Sequence, residues 1–166
     1  MKTFGYLAVA LGALMFGVGS HADDSVGSAT NAAQHKQGMA SALNGLWISN
    51  CYQFEPGLYQ VRTFEFVLNY LATITTISYP DSYCSKTPIG AQVVPATWDM
   101  GEETVTEEGL RAYQLEILLR SGPNKELTTV KQIVHFQDNR FVMGLSKKIE
   151  QYPQVLDWEI SYSSAY

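Results

Sequence analysis

The sequence predicts an all-β fold, a single antiparallel up-and-down barrel of about eight strands, with a β-sandwich as the alternative. Three observations carry this. From Gly45 onward apolar side chains recur at every second position, the period of a strand. The alternating stretches are short, and Gly, Pro, Asn, Asp or Ser punctuates the gaps between them. No internal repeat and no low-complexity tract breaks the pattern, so one domain covers it.

The elements follow in order. "GLWISNC", Gly45 to Cys51, opens the first strand, with Trp47, Ser49 and Cys51 on one face and Leu46, Ile48 and Asn50 on the other. In "RTFEFVL", Phe64, Phe66 and Leu68 point one way, Thr63 and Glu65 the other. Leu71 to Tyr79 is rich in Thr and Ile, which suit a pleated, half-buried surface. Pro80-Asp81-Ser82 then supplies turn chemistry. Gln92 to Asp99 reads as a strand in which Pro95 marks an edge or a bulge. Glu102 to Gly109, "EETVTEEG", reads as an acidic hairpin tip. "AYQLEILLR" directs Tyr113, Leu115, Ile117 and Leu119 inward. Ser121 to Asn124 turns, Leu127 to Phe136 makes a strand, and Gln137-Asp138-Asn139 turns again. "RFVMGLS" places Phe141, Met143 and Leu145 on one face, and "LDWEISY" sends Leu156, Trp158, Ile160 and Tyr162 inward.

What precedes Gly45 divides in two. Lys2, the uncharged apolar run Phe4 to Val18 and the small residues Ser20 and Ala22 make residues 1–22 a signal peptide cut before Asp23. The run falls short of the ~20 apolar residues a spanning helix needs. Residues 23–44 form a small, polar, flexible leader. Within it, Lys36 to Asn44 has the spacing of a short helix, since Met39, Ala42 and Leu43 share a face, although Gly38 weakens it. The barrel domain then spans 45–166, in a periplasmic or secreted protein with no membrane anchor after cleavage.

Charge and cysteine content narrow the function classes. Removing Lys2 leaves ten Lys and Arg against sixteen Asp and Glu, a net charge of −6, which disfavours nucleic acid as a partner. Two cysteines in an exported chain form one structural disulfide, Cys51 to Cys84. It closes a loop of about 32 residues, worth ~3–4 kcal/mol in the loop-entropy picture.

Gly45-x-Trp47 at the head of the first strand, the short helical segment before it and the succession of antiparallel strands resemble a lipocalin-like barrel. The fuller pattern adds Cys51, then Tyr79 and Asp81 shortly before Cys84, and a closing Pro153-x-x-Leu156-Asp157. In this the chain is similar to small secreted bacterial β-barrel proteins. The resemblance implies a barrel with Trp47 plugging one end.

No catalytic residue stands out. His35 lies in the leader and His135 on the outward side of a strand. With two mature histidines and two bonded cysteines, no His/Cys zinc site can be built. Glu102, Glu103, Glu107 and Glu108 do not match a calcium loop. Neither a G-x-S-x-G elbow nor a phosphate loop is present. We expect no enzyme, no metal and no cofactor. The aromatic side chains are the remaining clue: Trp47, Phe64, Phe66, Tyr113, Phe141 and Trp158 fall on inward faces. They either fill the barrel or line an apolar cavity. The expected function is an exported, non-enzymatic binding protein holding a small apolar ligand. The alternative is a protein–protein interaction module, such as an inhibitor of a periplasmic enzyme or an envelope-assembly partner.

Overall fold

The computed structural model describes Gln34 and residues 36–67, 70–121 and 126–166. The expected signal peptide, most of the leader and the inward position of Leu68 lie outside those residues. The strands are β1 (Gly45–Ser49), β2 (Tyr52–Glu55), β3 (Leu58–Val67), β4 (Leu71–Tyr79), β5 (Gly90–Val105), β6 (Arg111–Ser121), β7 (Glu126–Gln137), β8 (Arg140–Gly144) and β9 (Leu156–Ser164). From β2 to β9 each strand lies antiparallel beside the next. β1 pairs with β9 on one side and β3 on the other, so the sheet closes on itself. β1 and β2 both lie along β3 as two halves of one kinked strand. The result is the expected closed eight-stranded antiparallel barrel, with β2 as an additional strand.

The kink has a definite chemistry. Asn50, between β1 and β2, accepts from the Ser161 amide through Oδ1 at 2.9 Å and donates through Nδ2 to the Glu159 carbonyl at 2.8 Å. Its side chain thus continues the β1–β9 seam where the β1 backbone turns away. Next to it, Cys51 is bonded to Cys84, with Cα atoms 5.9 Å apart. Cys84 sits in the β4–β5 loop, so the bridge pins that loop to the kink. Asp81 shapes the same loop: its carboxylate accepts from the Ser85 amide and hydroxyl and from the Lys86 amide at 2.9–3.1 Å.

At the opposite end a short helix over residues 36–43 closes the barrel. Leu43 is fully buried, and Met39 and Ala40 pack on the core beside it. The Trp47 indole Nε1 donates to the Leu43 carbonyl at 2.7 Å, occupying a helix-end acceptor that has no partner within the helix. Gly45, with φ of 127°, makes the bend from helix to strand in a region that side chains other than glycine rarely enter. No described helix is long and apolar enough to cross a membrane.

A second, smaller apolar cluster lies outside the barrel wall. Ala112, Ile133, Val142 and Leu156 are buried there, with Leu110 and Tyr152 packed against them. The 145–155 segment covers this patch and is stitched down by backbone bonds. Lys131 N donates to Ile149 O at 2.7 Å, Leu145 N to Val155 O at 2.9 Å, and Glu107 N to Gln154 O at 2.8 Å.

Three expectations need correction. The β8–β9 register slips: Val142 faces Ser161, but Gly144 faces Leu156, so the inward alternation fails at the start of β9. Leu156 belongs to the outer cluster. Trp158 is 51% exposed, with its ring 6.0 Å from His135 on the outer wall. Leu145 lies past the end of β8 and is exposed, because the chain there leaves the sheet for the covering segment. The acidic hairpin tip is also shorter than expected. β5 runs on to Val105 through a register shift between Met100 and Glu103, which leaves Glu102 and Glu103 within the strand.

Gly144 reports on the outer cluster. A Cβ placed there would come 2.5 Å from Pro153 Cβ and 2.7 Å from Ile133 Cγ1. Gly144→Ala is expected to lower stability by about 1–3 kcal/mol, the usual cost of overpacking. The urea midpoint checks this.

Candidate functional site

The barrel interior divides into a sealed half and an open half. Near the helix the inward side chains form a continuous aromatic pack. Phe141 stacks on Tyr162 at 4.7 Å, Trp47 meets Phe141 at 4.9 Å, and Phe64 meets Tyr162 at 5.2 Å and Phe66 at 5.4 Å. Trp98 stands edge-on to Phe66 at 5.2 Å, with Met100, Leu115 and Ile117 buried beside them. These separations are those at which aromatic pairs attract beyond the area they bury.

Toward the disulfide end the same strands continue, and although Ser49 and Gln60 stay buried there, most of the inward residues are no longer sealed. On β4, Ile74, Thr76 and Ser78 are partly exposed; on β5, so is Val94, and Gln92 is exposed. Leu119 on β6, Thr128 and Val130 on β7 and Ile160 on β9 are partly exposed as well. Ile74, Leu119, Val130 and Ile160 rest on the aromatic pack below. An inward side chain meets water only through the barrel mouth or a gap in its wall. The wall does thin here, since β8 ends opposite Val134 while β7 runs on, and the Ile149 carbonyl takes over at Lys131. An eight-stranded barrel is just wide enough either to fill with side chains or to hold one small ligand. Here the lower half is filled by side chains, and the inward side chains of the upper half are partly exposed.

Polar groups enter the upper half from β2, β3 and β9. Gln60 and Arg62 continue the inward face of Phe64 and Phe66, opposite Ser78 and Thr76. The Tyr52 hydroxyl donates to Gln60 Oε1 at 3.2 Å, and Gln60 Nε2 donates to Ser78 Oγ at 3.2 Å. The Arg62 guanidinium carbon lies 5.8 Å from the centre of the Tyr52 ring. Lower on β7, opposite the sealed Leu115, Gln132 Oε1 is buried with no hydrogen-bond partner among the described residues. An acceptor left so costs about 1–3 kcal/mol.

Of the six aromatic residues singled out from the sequence, the structure brings five together. Trp47, Phe64, Phe66, Tyr113 and Phe141 lie in the sealed half, where they form the floor of the open space, and Trp158 stands outside. Arg62, Gln60 and Tyr52 were missed. The signal that marks them is the alternation itself, which extends the inward face of Phe66 and Phe64 back to Arg62 and Gln60.

Elsewhere the acidic and titratable groups serve the fold. Arg111 pairs with Glu103 at 3.2 Å. The Thr106 hydroxyl foremost, and the Leu156 amide among further donors, hold the Glu108 carboxyl below its ordinary range. His135 Nδ1 lies 2.7 Å from the Arg111 carbonyl, to which it donates. Among the described residues no three of His, Cys, Asp and Glu are placed to hold a metal ion. A groove of about 380 Å³ runs over the outer wall, lined by Tyr70, Thr97, Asp99, Glu116, Leu118 and Thr129, with the edge of the buried Trp98 at its base.

Fold and site together define a closed eight-stranded barrel with one half-open interior. Compared with family models, curated proteins and solved structures, the chain matches none of them.

Tyr162 spans the two halves, its ring in the aromatic pack and its hydroxyl beside Arg62. Burial pushes its pKa up to about 12, against the pull of the Arg62 charge. Below pH ~10 the phenol is neutral in both folded and unfolded chains, and its share of stability is fully present. Above that the unfolded chain ionises first, so stability falls as pH rises toward about 12. Urea midpoints across this window should drop, and Tyr162→Phe should remove part of the drop.

Proposed function

We propose that the chain is an exported, non-enzymatic binding protein that takes a small, largely apolar ligand into the upper half of a lipocalin-like barrel. One observation carries this: most inward side chains are buried near the helix, and on β4 to β7 they become partly exposed near the disulfide. Ile74, Val94, Leu119 and Val130 offer such a ligand an apolar wall, and the aromatic pack offers a floor. Phe54, Tyr83 and Ile89, on segments at the same end, are exposed and extend that apolar character to the rim. The Cys51–Cys84 bridge belongs with an oxidising compartment, as the N-terminal signal does. The competing view, a module that binds proteins through its acidic tip, has less behind it. Glu103 and Glu108 are engaged with Arg111 and with the Thr106 hydroxyl and Leu156 amide.

The test uses N-phenyl-1-naphthylamine, a neutral dye that brightens in apolar surroundings. The protein should bind it, and Leu119→Trp, which fills the open half from β6, should weaken binding at least ~10-fold with the urea midpoint kept within ~1 kcal/mol. A dye that stays dark, or binds both proteins equally, contradicts the proposal.

A further inference from the structure

We propose that the ligand carries a single negative charge, as an organic carboxylate does, and that Arg62 receives it. This rests on the binding function proposed above and names the chemical class of its ligand.

Arg62 is held inside the barrel. It lies on β3 between Gln60 and Phe64, both buried, and faces Thr76 across the β3–β4 ladder. An arginine stays charged at every physiological pH, and a charge taken from water needs a partner to offset its lost hydration. Arg62 has only weak partners of its own. Its guanidinium lies near the face of the Tyr52 ring and donates toward the Tyr162 hydroxyl. Among the described residues no carboxylate stands within 4.0 Å of it; the ion pairs there are Lys36 with Asp99, Arg111 with Glu103, and Lys131 with Glu116.

The neighbouring polar groups are neutral and already bonded to one another. Tyr52, Gln60 and Ser78 form a chain of bonds among themselves, and the planar Arg62 fork, on the inward face of β3 and partly exposed, is the charged donor set of the upper half. That fork matches the two oxygens of a carboxylate. Across the interior, Ile74, Val94, Leu119 and Val130 supply the apolar wall for the rest of the molecule.

The ligand's charge is limited to one. Asp157 is near enough to raise the pKa of both Tyr52 and Tyr162, so a second negative charge would meet its repulsion. A small carboxylate with an apolar body satisfies each of these conditions.

Octanoate, 1-octanol and octylammonium share one tail and differ in charge, so calorimetric titration with the three separates the charge from the cavity. Octanoate should bind at least ~10-fold more tightly than octanol, and octylammonium more weakly than either. Arg62→Met should weaken octanoate roughly 10- to 100-fold, down to the level of octanol, and leave octanol unchanged, while Arg62→Lys should restore part of the loss. The ranking in the unaltered protein decides the matter even if a variant fails to fold. Octanoate and octanol binding within about twofold of each other, or no binding of octanoate, overturns the assignment of charge. If the neutral dye still binds in that event, the open barrel stands and only its ligand class falls. If dye and octanol fail as well, the binding function falls with it.

Discussion

β1 is five residues long, yet it carries two ladders, to β9 and to β3. Without it the remaining strands would form an open sheet with an unpaired edge at each end, the arrangement that invites aggregation. So short a strand cannot hold that seam alone. The Trp47 indole ties it to the helix at one end, and Asn50 with the Cys51–Cys84 bridge ties it at the other. Closure at β1 is what creates an inside, and both the sealed and open halves of that inside depend on it.

The two halves balance opposite demands. The aromatic pack around Phe64, Phe141 and Tyr162 removes large apolar surfaces from water, the main favourable contribution to folding. The upper half gives up some of that contribution. Its apolar wall remains partly exposed, and Arg62 is drawn inward with no carboxylate within 4.0 Å of it among the described residues. Departures of this kind, in an otherwise well-packed molecule, are what the proposed binding site would cost its fold. The bridge and the bonded β4–β5 loop brace the mouth where packing is weakest.

Much of this was legible in the sequence. The period-two alternation identified the strands and placed Trp47, Phe64, Phe66, Tyr113 and Phe141 inside, and the two cysteines paired as their number implied. What failed did so where the backbone departs from regular pleating. The β8–β9 slip reverses the face of Leu156 and frees Trp158, and the shift after Met100 carries β5 past its expected end. A one-residue change of register exchanges inside for outside, and composition does not reveal it. The site itself was passed over for another reason. Arg62 and Gln60 are polar, and polar residues are ordinarily assigned to the outer face, although their spacing from Phe64 and Phe66 places them within.

The central claim is that one interior has a dry floor and a water-reachable upper half. Single cysteines at Val130 and at Leu115, both inward and on adjacent strands, test it most directly through their alkylation by iodoacetamide in the native protein. The account predicts that Val130→Cys reacts at close to the rate of an exposed thiol, while Leu115→Cys reacts only when the protein unfolds. Equal protection of the two would mean that the barrel is filled from end to end.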